Sequence, residues 1–205
     1  MRVAVLVSGR GSNLDAILRA VKSRYIRNAV VSVVVSNKPG VRALRVAKRH
    51  CVETEVVAAE KGEERAAYDS RLLESLKLHG VDRENGLVLL AGFMRLLSPE
   101  FVRFYQGRIL NIHPSLLPAF PGLDAQKQAL DHGAKVSGCT VHFVVPEVDA
   151  GPIILQRAVK VREGDTVEAL SSRILRQEHK LYPLAVKLFV EGKLSMNGRS
   201  VVIGS

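Results

Sequence analysis

A chain of 205 residues is long enough for one domain with a substantial core, and 47% hydrophobic against 24% charged residues argues against disorder. The formal net charge of +10 arises from Lys and Arg spread from Arg2 to Arg199, with few aromatics and no nucleic-acid motif, so it points to anionic small-molecule substrates rather than to DNA or RNA. Two cysteines, Cys51 and Cys139, give no disulfide or metal-site spacing, and the apolar start is too short for a membrane span, so the expected location is cytoplasmic.

Val3–Val7 predicts a buried first strand, interrupted by Ser8-Gly9-Arg10-Gly11-Ser12-Asn13 before a helix over Leu14–Lys22. A glycine loop between strand and helix lets backbone amides approach an oxygen, and the helix N-terminus adds partial positive charge, so the loop suits a phosphate. The dinucleotide fingerprint needs a third glycine where Leu14 stands, and an acidic residue where Ser36-Asn37 follow the second strand. The Gly-Lys-Ser/Thr of a triphosphate loop is also missing. A cradle for one phosphate, with Ser12 and Asn13 as donors, stays open beside a plain turn with Ser12 as helix cap.

Strands are expected at Val30–Val35, Thr54–Val57, Leu87–Ala91 and Ile109–Ile112, with helices over Arg42–His50, Glu63–Leu78 and Pro99–Tyr105 between them. Such alternation predicts an α/β fold, an open, mostly parallel twisted sheet flanked by helices and Rossmann-like in its N-terminal half. Cys139–Val145 and Ile153–Val161, separated by a Pro/Asp/Gly turn, predict an antiparallel C-terminal portion. A helix from Thr166 to Val190, with Pro183 as a kink or break, and a short hairpin after Gly192 complete the chain. The absence of a linker or repeat makes 1–205 a single domain, with a nucleotide-binding half over 1–100 and a folate and catalytic half over 101–205 once the resemblance below is added.

Ligands bind at the carboxyl ends of the strands in open α/β sheets, and three motifs lie there. Ala91-Gly92-Phe93-Met94-Arg95-Leu96-Leu97 follows the fourth strand and reads either as the wall of a flat aromatic-ligand pocket or as a loop packed under the next helix. Asn111-Ile112-His113-Pro114 ends the fifth, and alternation points Asn111 and His113 the same way. Asp149, in the turn Glu147–Pro152, can reach the same edge, where a carboxylate favours a charged imidazole. Protonated His113 with an amide donor from Asn111 suits an oxyanion developing at a carbonyl. A metal held by His113, His142 and Asp149 lacks any close-spaced ligand pair, and mid-strand His142 reads as a packing residue. No nucleophile signature is present, which favours direct transfer between two bound substrates.

Taken together, Ser8–Leu14, Leu90–Pro99, Asn111–Pro118 and Asp149–Leu155 closely resemble the folate-dependent formyltransferases that act on glycinamide ribonucleotide in purine biosynthesis. The resemblance implies a formyl transfer from the co-substrate 10-formyltetrahydrofolate to the ribonucleotide amine, without a metal. It implies Asn111, His113 and Asp149 as catalytic residues and Gly11, Ser12, Asn13 and Glu178 at the ribonucleotide. For the folate it implies Arg65, Met94, Arg95, Leu96, Leu97 and Asn111. Asp124 departs from the His or Asn of many relatives. Formyltetrahydrofolate deformylase, a hydrolase of the same superfamily, is the nearest rival; its extra N-terminal domain has no counterpart before a glycine loop that begins at residue 8. Methionyl-tRNA formyltransferase would need a further C-terminal domain. The partners implied are small molecules only, with no nucleic acid and no membrane, acting on a monomer or homodimer.

Overall fold

The computed structural model describes residues 1–204. Nine strands form one sheet in the order β3-β2-β1-β4-β5-β6-β7-β9-β8. β1 (Arg2–Val7), β2 (Val30–Ser36), β3 (Thr54–Val56), β4 (Gly86–Leu90) and β5 (Ile109–His113) are parallel. β6 (Val136–Phe143) runs antiparallel to β5, and β7 (Ile153–Lys160) antiparallel to β6. The tail hairpin, β8 (Leu194–Asn197) and β9 (Ser200–Ile203), joins the sheet through a parallel contact of β9 with β7.

The central parallel strands β1 and β4 are apolar almost from end to end because both faces are covered. Along β1, Val3, Val5 and Val7 enter one core with Leu14, Ile17 and Ile174. Ala4 and Leu6 enter a second, on the opposite face, with Tyr68, Leu72 and Phe101. The first core is roofed by α1 (Ser12–Lys22), α2 (Arg42–Arg49) and α6 (Val167–Val190); the second by α3 (Arg65–Leu78) and α4 (Pro99–Phe104). Complete burial of a Val or Leu side chain stabilises by about 1.5–3 kcal/mol, so the buried Val and Leu positions of β1 carry a large share of the driving force.

Three sequence expectations need correction. Pro183 does not break α6, which runs 24 residues to Val190 and is held by α1 on one side and by β6 and β7 on the other. Thr166 does cap it, accepting from Ala169 N at 3.2 Å. A helix not expected, α5 (Ala125–Asp131), follows Asp124, whose φ of 55° is left-handed. Asp, Asn and His are the residues enriched in that conformation, so the departure at Asp124 preserves the turn. Finally, Ser12 is not the cap of α1: Gly11 is, with φ 77° and no side-chain hydrogen bond to the helix.

Candidate active site

The glycine loop, the loop after β4 and the end of β5 lie together at the carboxyl edge of the sheet. Gly11 takes its left-handed backbone against α2, where a Cβ would lie 2.7 Å from Ala43 Cα. A larger residue would therefore push α2 away as well as block the cradle. Because Gly11 caps α1 without a side chain, the first-turn amides of Ser12 and Asn13 remain open to an anion. Asn13 differs from expectation. Its Nδ2 donates to Glu178 Oε2 at 2.7 Å, and its buried Oδ1 has no partner among the described residues. The structure thus joins, across 165 positions, two residues that the resemblance assigns to the ribonucleotide. Burial pushes the Glu178 carboxyl up from its ordinary pKa, against the opposing Asn13 hydrogen bond.

The loop after β4 presents unpaired backbone. The N–H and C=O of Arg95 and Leu96 make no hydrogen bond among the described residues, an arrangement suited to reading the edge of a flat heterocycle. Met94 and Leu96 side chains are exposed, whereas Leu97 is buried in the core beside Phe101. The Met94 N–H is already engaged by Ser8 Oγ at 2.8 Å. Arg95 stacks on Tyr68, its Cζ 4.0 Å from the ring centroid. Asp69 ties α3 beneath the loop by accepting from Ser98 N, and this brings Arg65, one helical turn earlier and exposed, toward the same side.

At the end of β5, His113 is 4% exposed. Its Nδ1 lies 3.2 Å from Asp149 Oδ2 and its Nε2 2.8 Å from the Phe120 carbonyl. Both ring nitrogens face oxygen acceptors, and only the imidazolium has a hydrogen for each. Asp149 has φ 51° and also accepts from Gly122 N at 2.8 Å; Arg199, in the tail hairpin, donates to the neighbouring Ala150 carbonyl at 3.0 Å. The turn that carries the carboxylate is thus pinned from two sides.

His142 is buried, as expected of a packing residue, yet it belongs to this cluster. Its Nδ1 donates to the Phe143 carbonyl at 2.8 Å, which leaves Nε2 to accept from Asn111 Nδ2 at 3.2 Å. Asp149 Oδ1 stands 3.7 Å away from the same Nε2. A neutral His142 therefore fixes the direction of the Asn111 amide. Antiparallel pairing places Asn111 directly opposite His142, a register the sequence does not display. Although His113, His142 and Asp149 converge, each imidazole also turns a nitrogen to a backbone carbonyl, and no group of three His, Cys, Asp or Glu is placed to hold a metal among the described residues.

Burial pushes the His142 imidazole below its ordinary pKa near 6.5. The folded pKa is the depressed one, so below about pH 6.5 the unfolded chain binds more protons and stability is lost as pH falls. Urea unfolding between pH 7.5 and 5 should show this acid limb, at most about 1.4 kcal/mol per pH unit from one group. His142→Gln should flatten it, and an unchanged slope would count against a neutral His142.

An α/β sheet with an imidazole–carboxylate pair and an amide at its carboxyl edge is the arrangement of an enzyme that stabilises an oxyanion at a carbonyl. The chain belongs to the formyl transferase family, whose pattern matches residues 1–186. It is 44% identical to phosphoribosylglycinamide formyltransferase of Escherichia coli, over 96% of this chain and 91% of that protein. It is 48% identical to trifunctional purine biosynthetic protein adenosine-3 of Bos taurus over 97% of this chain, but spans only 19% of that protein's length. Glycinamide ribonucleotide transformylase 1 of Symbiobacterium toebii superposes with a TM-score of 0.95 at 51% identity, covering 100% of this chain and 94% of that one. A formyltetrahydrofolate deformylase of Pseudomonas syringae superposes at 0.89 with 27% identity, and this chain covers 66% of it. No helix among the described residues is long and apolar enough to cross a membrane.

Proposed function

We propose that the protein transfers the formyl group of 10-formyltetrahydrofolate to the amine of glycinamide ribonucleotide, giving formylglycinamide ribonucleotide and tetrahydrofolate in purine biosynthesis. The observation that carries this reading is the convergence of Asn111, His113 and Asp149 between a phosphate-type glycine loop and a loop of unpaired backbone groups. First-turn amides of α1 and Ser12 hold the ribonucleotide phosphate, and the Asn13–Glu178 pair stands beside it. Arg95, Leu96 and the Met94 carbonyl receive the folate ring, with Arg65 at its anionic end.

The amine nitrogen attacks the formyl carbon, a C–N bond forms, and the carbonyl electron pair moves onto oxygen. Asn111 Nδ2 and the His113 imidazolium stabilise that oxyanion, one hydrogen bond of His113 being exchanged for the new one. Asp149 orients the ring through its contact with Nδ1. Collapse of the intermediate breaks the bond to N10 of the folate, and the proton lost by the amine arrives at N10. The burial of His113 and His142 strengthens the contacts they make. Cytoplasmic location and a monomer or homodimer complete the reading; the two cysteines, both free thiols, fit a reducing compartment.

The test is tetrahydrofolate production with and without glycinamide ribonucleotide. The transferase should release folate product at least about a hundredfold faster with the ribonucleotide present, since bringing the amine to the formyl carbon supplies the nucleophile. Equal rates in its absence would instead identify a deformylase.

A further inference from the structure

Ser8, at the end of β1, is 7% exposed and makes three hydrogen bonds to two other loops. Its N–H donates to the Gly92 carbonyl at 3.1 Å. Its hydroxyl donates to Asn37 Oδ1 at 2.7 Å and accepts from the Met94 N–H at 2.8 Å. The loops after β1, β2 and β4 thus meet on one side chain. Immediately after it, the Gly9 carbonyl accepts from Ala43 N at 3.0 Å, which anchors the same loop to α2. A hydroxyl is the smallest group that donates and accepts at once. No aliphatic residue could hold Asn37 and Met94 together.

We infer that Ser8 is a positioning residue that couples the two substrate loops, so that a ligand on one favours binding on the other; this rests on the reading above of loop 8–13 as the ribonucleotide cradle and loop 92–97 as the folate wall. A loop with open backbone groups loses freedom when it closes on a ligand. Through the Ser8 hydroxyl, ordering one loop orders the other, so the second ligand has less ordering left to do. The effect is reciprocal by thermodynamic necessity. Ser8 itself touches neither reacting atom; it sets the spacing between the amine and the formyl carbon by keeping both loops in one frame.

Calorimetric titration of glycinamide ribonucleotide into the whole protein, alone and saturated with tetrahydrofolate, reads the coupling without turnover. The wild type should bind the ribonucleotide about fivefold tighter or more with the folate in place, the lower range of coupling between sites. In Ser8→Ala each ligand should still bind alone, with the coupling reduced to within about twofold of none. Ser8→Thr, which keeps the hydroxyl, should restore it. Asn37→Ala leaves the Ser8–Met94 bond intact at a half-buried surface position and should give an intermediate value, a readout that survives even if Ser8→Ala fails to fold. Coupling unchanged in both Ser8→Ala and Asn37→Ala, or ligands that bind the wild type independently, would overturn the proposal. A wild type that binds neither ligand would overturn the site reading itself, and the Ser8 proposal with it.

Discussion

His113→Asn should cut kcat by about two to four orders of magnitude, the scale of a lost oxyanion or acid–base group, while both substrates still bind. The N–H donors of Asn are neutral and sit on one nitrogen, whereas the imidazolium places a charged N–H toward both Asp149 Oδ2 and the Phe120 carbonyl. The charge that meets the oxyanion is therefore lost, whereas the glycine loop and the loop after β4 are untouched. His113 and Asp149 act as one unit, so the double variant His113→Asn/Asp149→Asn should be little slower than His113→Asn alone. Steady-state kinetics on the three variants decides the matter. Multiplicative losses would show Asp149 acting on its own, and a near-normal kcat for His113→Asn would sink the proposed chemistry.

Gly151→Ala should be among the most destabilising single changes in the molecule. A Cβ at that position would lie 1.7 Å from the Phe143 carbonyl oxygen and 3.5 Å from His142 Nδ1. The neighbouring Pro152 carbonyl accepts from Phe143 N at 2.9 Å, which fixes the approach of the two chain segments. The obstacle is backbone, which cannot rotate away as a side chain could. The junction of β6 and β7 must open, at a cost of roughly 3 kcal/mol or more, above the usual range for overpacking. For a chain of this size that lowers Tm by roughly 6–12 °C. Asp149, two residues earlier, should lose its place at His113, so kcat falls in the protein that remains folded. Thermal unfolding with the ordinary Tm would show that the turn has slack the distances do not suggest.

The sequence made the strand–helix alternation legible because a sheet covered on both faces writes itself as uninterrupted apolar runs, with punctuation at each carboxyl end. β1, β2, β4 and β5 were placed within a residue or two of their ends in this way. Pro183 misled, since its local rule predicts a break and α6 instead has enough tertiary contact on both sides to continue. The left-handed Asp124 and the short α5 behind it carry no strong local signal. Residues near the site were legible one at a time: alternation set Asn111 and His113 on one face, and a turn motif carried Asp149.

What the sequence by itself determined is the fold class and the chemical types gathered at the carboxyl edge of the sheet, because periodicity and residue chemistry are local properties of the chain. Only the tertiary structure decided which side chains meet. Asn13 pairs with Glu178, His142 orients Asn111, Leu97 turns into the core, and Ser8 joins three loops. Each of these depends on contacts between segments far apart in the chain, or on the register of neighbouring strands, and a one-residue change of register would exchange every side chain between the two faces of the sheet.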